Sequence, residues 1–393
     1  MKFVIIGGVA AGTKTAAKLK RENPDAEVVL YTKGNDISYA GCGLPYYVGG
    51  SIESRDEIIV NTPEKFMKLT GVTVYTGSEA EKVLPESKTV IVNGSSVSYD
   101  KLILAVGANP IIPPVDGVNL PGVFTVRTPD DSINMRNYLP NAKKAVVVGG
   151  GFIGLEMADN LMAQGLSVTV IDMADQLLPN ILDADMSDFL RRKLQERNLR
   201  ILTGTALNAI NGSGKVESIS TSAGTIPADM VVLSVGIRPA TKFIEGTGIE
   251  TERGLIITDY FGKTNLEDIY AVGDCAMVEN RITGRRQWSA MGSTANIAGR
   301  ALALSLSGEK TAYPGCLGTG VLKASEDLNV GRTGLTEEQA EDAGHNVITA
   351  VSVTDDKAHY YPDSDMFVTK LIADRNTHEL LGIQVIGARK VCL

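Results

Sequence analysis

The sequence predicts an α/β fold with two tandem Rossmann-like dinucleotide-binding domains and a smaller α+β domain at the C-terminus. Short apolar runs rich in Val and Ile alternate with longer stretches of helical period. Two glycine turns, IIGGVAAG and VVVGGGFIG, each continue from such a run. From about residue 322 the pattern changes to alternating strands. These observations together favour paired nucleotide-binding units followed by a third unit.

Length and composition exclude several classes of protein. The chain has 393 residues, 41 of them glycine, and a formal net charge of −8. It carries no basic segment and no apolar run long enough to span a bilayer, so we expect neither nucleic acid nor membrane partners. The four cysteines form no CxxC pair and the three histidines all follow residue 344, so we expect no metal site. These features favour a cytoplasmic protein.

An internal repeat organises the first two thirds of the chain. In both copies a strand, a glycine turn, a helix and a second strand precede a closing strand that ends in Val-Gly. The predicted strands of the two copies are 3–6, 28–31, 102–106, 145–148, 168–171 and 230–235. We therefore predict one domain from residues 1–112 and 240–321, interrupted by a second domain at 113–239. Antiparallel strands around a short helix at 337–343 predict a third domain at 322–393.

The second glycine turn has a complete dinucleotide-binding pattern. Gly149, Gly151 and Gly154 stand at GxGxxG spacing, and Asp172 follows Gly151 by 21 residues at a strand end. A carboxylate at that place binds the ribose 2′-hydroxyl of NAD. The following IDMADQLL contains no Lys or Arg for a 2′-phosphate. The sequence thus favours NADH over NADPH.

The first glycine turn matches less well. Val9 replaces the middle glycine, and Thr32 replaces the acidic residue at the end of the next strand. The segment fits either a phosphate site at the helix N-terminus or a merely tight strand–helix turn. Asp274, in AVGD, follows another strand pattern, and we expect it either to bind ligand hydroxyls or to cap a helix.

Cys42 is the candidate reactive thiol. It lies in SYAGCGLPYY between two glycines, after a loop and before a predicted short helix whose N-terminus can stabilise a thiolate. An inert apolar cysteine is the alternative. Cys275, Cys316 and Cys392 lack such a setting, and we expect them to be inert.

A basic stripe lies on the first predicted helix. Lys14, Lys18 and Arg21 are spaced at i, i+4 and i+7 and therefore share one face. The stripe fits either an ordinary solvated helix face or a binding site for a phosphorylated substrate.

With both glycine turns, AVGD and SYAGCGLPYY in place, the chain resembles the pyridine nucleotide-disulfide oxidoreductases over nearly its whole length. The segment from Ser38 to Tyr47 is most similar to the single-cysteine branch, which includes coenzyme A-disulfide reductases, CoA-persulfide reductases and NADH oxidases. The family's usual second cysteine is Tyr47 here, which excludes an internal disulfide at that place. Ala10 replaces the His of the related peroxidases, which argues against that activity.

The resemblance implies a flavoprotein with FAD in the first domain and NADH in the second. The FAD positions that it implies are Gly7, Gly8, Val9, Ala10, Ala11, Gly12, Thr32, Lys33, Ala105, Gly107 and Asp274. The NAD positions are Gly149, Gly151, Ile153, Gly154, Asp172 and Gly236. The positions along the path of coenzyme A are Lys14, Lys18, Arg21, Ser38 and Tyr361. The resemblance also implies a homodimer through the C-terminal domain, which we expect to be shortened because the chain stops at ARKVCL.

The resulting hypothesis is an enzyme that passes electrons from NADH through FAD to Cys42, which reduces a disulfide or persulfide such as CoA disulfide. Two alternatives stay open. One is an NADH oxidase in which O₂ is reduced at the flavin and Cys42 cycles through a sulfenic acid. The other is an NADH-dependent reductase of a small redox protein, in which Cys42 is dispensable. An inactive remnant of such an enzyme is the remaining interpretation.

Overall fold

The computed structural model of the protein describes residues 1–387, so Cys392 lies outside the described residues. Its helices are α1 (Ala10–Glu22), α2 (Leu44–Val48), α3 (Arg55–Ile58), α4 (Pro63–Thr70), α5 (Pro129–Tyr138), α6 (Phe152–Ala163), α7 (Ala184–Glu196), α8 (Gly292–Leu306) and α9 (Glu337–Asp342). None of the helices in this part of the chain is long and apolar enough to cross a membrane.

The strands are β1 (Lys2–Ile6), β2 (Glu27–Tyr31), β3 (Thr73–Tyr75), β4 (Ala80–Leu84), β5 (Thr89–Val92), β6 (Ser95–Ser98), β7 (Lys101–Leu104), β8 (Ala108–Pro110), β9 (Val123–Phe124), β10 (Lys144–Val148), β11 (Ser167–Ile171), β12 (Arg200–Leu202), β13 (Leu207–Asn211), β14 (Ser218–Thr221), β15 (Gly224–Pro227), β16 (Met230–Leu233), β17 (Ile237–Pro239), β18 (Thr251–Glu252), β19 (Leu255–Ile256), β20 (Ile269–Ala271), β21 (Met277–Glu279), β22 (Arg286–Trp288), β23 (Gly320–Ser325), β24 (Leu328–Gly334), β25 (Val347–Asp355), β26 (Met366–Asp374) and β27 (Leu380–Gly387).

The chain divides into two compact units. The first contains Met1–Ala40, Asp56–Asn109 and Ile237–Cys316, and the second contains Gly41–Arg55, Pro110–Gly236 and the chain from Leu317 onward. The segment around Cys42 thus groups with the second unit, although it lies within the first copy of the sequence repeat. The three domain ranges expected from the sequence stay a prediction.

The first unit is built on a parallel sheet in the order β20-β7-β1-β2-β3. Both faces of its central strand are buried, because Phe3 and Ile5 pack in one apolar cluster while Val4 and Ile6 pack in another. A strand covered on both faces has no need of polar alternation, which explains the continuous apolar run in the sequence. Helix α4 shows how a helix is bounded here, since the Thr62 side chain accepts a hydrogen bond at its N-terminus.

The second unit repeats this arrangement in the order β12-β11-β10-β16-β9. Its central strand β10 pairs in parallel with β11 and β16, as β1 pairs with β2 and β7. Each unit also carries a three-stranded antiparallel sheet just before the closing strand, formed by β4-β5-β6 in one and β13-β14-β15 in the other. The predicted fold class and the predicted repeat are confirmed.

The C-terminal part of the second unit is a five-stranded antiparallel sheet in the order β23-β24-β27-β26-β25. Helix α9, predicted from the sequence at 337–343, begins with a capping box in which Thr336 and Gln339 exchange side-chain to backbone hydrogen bonds. Apart from its half-buried first residue, every residue of the edge strand β25 is exposed. Among residues 1–387 the outer edge of β25 pairs with no other strand, so another chain can cover it.

Candidate functional sites in the two units

The first glycine turn closes tightly between β1 and α1. Gly7 has a φ of +112°, and a Cβ there would lie 2.1 Å from the Ala105 carbonyl oxygen. A Cβ at Gly12 would lie 1.8 Å from the carbonyl oxygen of Gly7. Val9 precedes α1 without a side-chain cap, so the first N–H groups of the helix are left for a ligand. This arrangement fits the pyrophosphate of a dinucleotide.

The residues around this turn belong to the same unit. Thr32 is buried and lies directly behind Gly8, where a Cβ would approach the Thr32 Cβ to 2.9 Å. The Ser38 backbone N–H donates to the Gly8 carbonyl at 2.8 Å. Lys33 points outward and forms an ion pair with Glu79 at 2.9 Å. Ser38 therefore lies beside the turn, whereas the Lys33 charge is held at the surface.

Asp274 lies in a turn three residues beyond the end of β20. Its carbonyl accepts a hydrogen bond from the Trp288 indole at 2.9 Å. No helix begins at Asp274, because the chain continues into β21 and the next helix starts only at Gly292. The alternative interpretation of Asp274 as a helix cap is therefore wrong. Gly107 belongs to the same unit, and its carbonyl accepts from the Ala240 N–H at 3.0 Å.

The second glycine turn has the same construction. Gly149 has a φ of +109°, and a Cβ there would lie 2.2 Å from the Ser234 carbonyl oxygen. A Cβ at Gly154 would lie 1.9 Å from the Gly149 carbonyl oxygen. Gly151, by contrast, has open space in the direction of a Cβ and precedes α6 without a side-chain cap. The turn thus presents uncapped backbone N–H groups toward open space, an arrangement that suits a phosphate.

Asp172 stabilises this second turn. Its carboxylate accepts hydrogen bonds from the Gly150 N–H at 2.6 Å and from the Ala174 N–H at 2.8 Å. It is half-buried at the end of β11, the position at which a carboxylate meets a ribose. Ile153 is 40% exposed on the first turn of α6. Gly236 follows the closing strand, and its carbonyl accepts from the Ile111 N–H at 2.9 Å.

Cys42 is exposed in a single turn of 3₁₀ helix, Gly41–Gly43, that leads directly into α2. Nothing lies within 4 Å of the place that a Cβ on Gly41 would occupy. Helix α2 ends against α6, where the Gln164 side chain donates to the Gly49 carbonyl at 2.7 Å. The segment that carries Cys42 therefore packs, through α2, against the helix that begins at the second glycine turn.

A tyrosine and a carboxylate that the sequence interpretation missed lie in this contact. The Tyr46 hydroxyl donates to Glu156 Oε1 at 3.1 Å. Burial raises the pKa of Glu156 to about 7, although the hydrogen bond from Tyr46 lowers it in part. Tyr46 lies one helical turn after Cys42, a spacing visible in the sequence. Glu156 is 110 residues away in sequence from Tyr46, and no sequence signal joins them.

The basic stripe on α1 carries less charge than its residues suggest. Lys14 and Arg21 are exposed, but Lys18 is half-buried and forms an ion pair with Glu22.

Cys275 is fully buried, and burial raises the pKa of its thiol to about 11, which fits an inert cysteine. Tyr361, in the second unit, is 54% exposed and stacks on Tyr360 with ring centroids 5.1 Å apart.

Comparison with known proteins identifies the family. A family model described as pyridine nucleotide-disulphide oxidoreductase matches residues 1–295. The chain belongs to this family. A second model, described as the dimerisation domain of the same family, matches residues 325–391. The family uses FAD and NAD(P)H, so the protein is a flavin- and NAD(P)H-dependent oxidoreductase. The uncapped turns described above fit both cofactors.

Three relatives bear on the activity. An NAD(P)H coenzyme A polysulfide/persulfide reductase of Pyrococcus horikoshii is 37% identical over 98% of this chain and 87% of its own length. An NADH oxidase of Methanocaldococcus jannaschii is 34% identical over 100% of this chain and 88% of its own. The solved structure of an NAD-dependent persulfide reductase from A. fulgidus has a TM-score of 0.96 at 33% identity, and the match covers 100% of this chain and 74% of that one.

Proposed function

We propose that the protein is an NADH-dependent reductase of disulfides or persulfides carried by coenzyme A, with Cys42 as the reacting sulfur. The observation that carries the proposal is the exposed thiol between two glycines at the start of a helical segment. Such a position admits a bulky sulfur substrate and favours the thiolate. Two of the relatives described above are named as persulfide reductases, which supports this substrate class.

The residues of the two glycine turns bind and orient the cofactors. The uncapped N-termini of α1 and α6 would hold the pyrophosphate groups of FAD and NADH respectively. Asp172 binds the NADH ribose and repels a 2′-phosphate, so NADH is preferred over NADPH. When bound, FAD would supply the two-electron chemistry that links a hydride of NADH to reduction of a sulfur–sulfur bond.

Cys42 performs the exchange with the substrate. Its thiolate attacks one sulfur of CoA disulfide, so that a Cys42–CoA disulfide forms and one CoA thiolate leaves. Two electrons then break the Cys42–CoA bond, which regenerates the Cys42 thiolate and releases the second CoA thiolate. Two protons, one originating with the hydride and one from solvent, complete the two thiols. The balance is NADH, one proton and CoA disulfide giving NAD⁺ and two CoA thiols.

The stripe on α1 is proposed to bind the phosphates of coenzyme A. Lys14 and Arg21 are the exposed members of this stripe. Lys14→Ala should raise KM for CoA disulfide while leaving KM for an uncharged small disulfide unchanged, because only the former carries phosphate. Lys65→Ala removes an exposed lysine from α4 of the same unit and serves as the matched control. Equal KM values for CoA disulfide in wild type and Lys14→Ala would leave the stripe as a solvated face.

A homodimer through the C-terminal sheet is also proposed. The edge strand β25 exposes Val351 by 54% and Val353 by 63%, and the adjacent strand β26 exposes Leu371 by 39%. The dimerisation-domain match spans these strands. Exposed β-branched residues on an unpaired edge are suited to cover by a second chain.

The proposal is tested by oxidising the NADH-reduced holoenzyme without O₂. CoA disulfide or a CoA persulfide should reoxidise the flavin in wild type and in Cys316→Ser, but not in Cys42→Ser. Reoxidation only after admission of O₂ would instead favour an NADH oxidase, the function of the M. jannaschii relative. Full transfer to a small redox protein by Cys42→Ser would favour the electron-transfer alternative.

A further inference from the structure

The Cys42 segment and the start of α2 present two side chains on one helical face. Gly43 has αR backbone angles, with φ −83° and ψ −13°, so the helical course continues from Cys42 into α2. Cys42 and Tyr46 stand at i and i+4, a spacing that places Cβ atoms about 5–6 Å apart on a helix. The Cys42 thiolate raises the pKa of Tyr46, so the two groups lie within electrostatic range of each other.

Two residues of α6 and Gln164, the residue that caps its C-terminus, hold this segment in place. Glu156, Asn160 and Gln164 are spaced at i, i+4 and i+8, and each meets α2. Glu156 accepts the Tyr46 hydroxyl at 3.1 Å, and the Gln164 amide donates to the Gly49 carbonyl at 2.7 Å. A Cβ on Gly49 would lie 2.0 Å from Asn160 Oδ1, so the two helices touch there. The Tyr46–Glu156 hydrogen bond thus forms within a fixed contact.

The charges around the pair come from several elements. On α6, Asp159 lies one turn beyond Glu156, and burial raises the pKa of Asp159. Lys323 lowers this pKa, whereas Glu326 and Asp327 of the β23–β24 turn raise it. On β23, the Lys323 ammonium lies 5.8 Å from the centre of the Tyr46 ring.

Tyr46 lies in a partly buried and negatively charged environment. Burial raises the pKa of Tyr46 well above its usual range, and so do the Glu156 and Asp159 carboxylates and the Cys42 thiolate. On α5, Arg136 lies over the neighbouring Tyr47 ring, 4.5 Å from its centre. The Glu156 carboxylate and the Cys42 thiolate both act on Tyr46, so this tyrosine joins the two groups electrostatically.

We propose that Tyr46 is the group that passes a proton to the sulfur that leaves Cys42, and that Glu156 is the positioning residue that holds and resupplies this proton. The proposal deepens the reductase function proposed above and rests on it. Charged Glu156 accepts the Tyr46 hydrogen, as in the structure. Protonated Glu156 instead donates to the Tyr46 oxygen and leaves the tyrosine hydrogen available to an anionic sulfur.

The proton transfer balances within the reductase cycle. When the Cys42–CoA bond breaks, the departing CoA sulfur carries the negative charge. The Tyr46 O–H bond breaks and an S–H bond forms, while the Glu156 proton moves to the Tyr46 oxygen. Glu156 then takes the one solvent proton that the overall reaction consumes. A carboxyl with a pKa near 7 is suited to this exchange at neutral pH.

The test compares wild type, Glu156→Gln, Tyr46→Phe and Tyr47→Phe as purified holoenzymes. Tyr47 is the matched control, since it is the next residue on α2 and packs against Arg136. One measurement is the pH dependence of Cys42 alkylation by iodoacetamide. The other is the rate of CoA-disulfide reduction beside the rate of flavin reduction by NADH. Flavin content and Tm report on folding in each variant.

Wild type and Tyr47→Phe should show an alkylation inflection near pH 7 in addition to that of the thiol. Glu156→Gln and Tyr46→Phe should lose it, because no carboxyl then titrates against the sulfur through the tyrosine. The rate of CoA-disulfide reduction should fall by about 10²-fold in Tyr46→Phe, within the range of general acid catalysis, with flavin reduction unchanged.

An unchanged inflection in Glu156→Gln, or an unchanged rate of CoA-disulfide reduction in Tyr46→Phe, overturns the inference. If CoA disulfide is not reduced even by wild type while the alkylation profiles still differ as expected, the proposed function fails and the coupling of the pair to Cys42 stands. The alkylation profile thus separates the two failures, because it requires no substrate.

Discussion

Removal of the Asp172 carboxylate is the sharpest test of the second cofactor site. The carboxylate accepts two backbone hydrogen bonds, from Gly150 at 2.6 Å and from Ala174 at 2.8 Å. A hydrogen bond to a charged group contributes about 1.5–3 kcal/mol. Because Asp172 is only half-buried, water replaces part of both bonds in Asp172→Ala. We therefore expect the free energy of unfolding to fall by about 2–3 kcal/mol.

The same substitution should weaken NADH binding. Loss of one charge-assisted hydrogen bond to the ribose, at about 1.5–3 kcal/mol, corresponds to roughly a 10- to 100-fold increase in Kd. NADPH binding should change much less, so the preference for NADH should shrink. The Kd of Asp172→Asn for NADH should lie between those of wild type and Asp172→Ala, because asparagine keeps one carbonyl acceptor.

The assays are urea unfolding for stability and fluorescence titration of the holoenzyme for Kd. Asp175→Ala removes the same charge from an exposed position three residues along and is the matched control. If Asp172→Ala binds NADH as tightly as Asp175→Ala does, Asp172 does not bind the ribose and the assignment of the NAD site is refuted.

Three further predictions follow from single contacts. Gly154→Ala places a Cβ 1.9 Å from a backbone carbonyl oxygen and should lower both Tm and NADH affinity. Gly151→Ala has open space around its Cβ and should lower NADH affinity alone. Calorimetry and NADH titration distinguish the two variants. A hydrogen bond from Arg197 lowers the pKa of Asp327 to about 2. Its contribution to stability is therefore present above the ordinary Asp pKa and is lost as pH falls toward 2, and Asp327→Asn should remove that part of the pH dependence in urea unfolding. Val353→Glu on the exposed edge strand should convert a dimer to a monomer in light scattering, and a mass unaffected by the substitution would exclude this edge from the interface.

Local sequence patterns predicted the fold well, because the parallel strands are buried on both faces and read as continuous apolar runs. The central strands predicted at 3–6 and 145–148 are observed as Lys2–Ile6 and Lys144–Val148. The short helix predicted after Cys42 is observed as Leu44–Val48. The alternative of a helix cap at Asp274 is wrong because that segment turns into β21.

Long-range contacts account for what the sequence did not predict. The Tyr46–Glu156 hydrogen bond joins the two copies of the repeat, and neither residue stands out in its own motif. The grouping of Gly41–Arg55 with the second unit depends on the same packing of α2 on α6. The ion pair of Lys18 with Glu22, by contrast, is local and has the ordinary i, i+4 spacing that a sequence shows.

The most direct measurement of the central claim is the chemical state of Cys42 after contact with substrate. The NADH-free enzyme is mixed with one equivalent of CoA disulfide, quenched in acid and digested. The masses of the peptides that contain cysteine are then measured by mass spectrometry. We predict CoA on the Cys42 peptide, removed again by NADH without O₂, and no CoA on the peptides of Cys275 and Cys316. Unmodified Cys42 in an enzyme that still reduces CoA disulfide would contradict it.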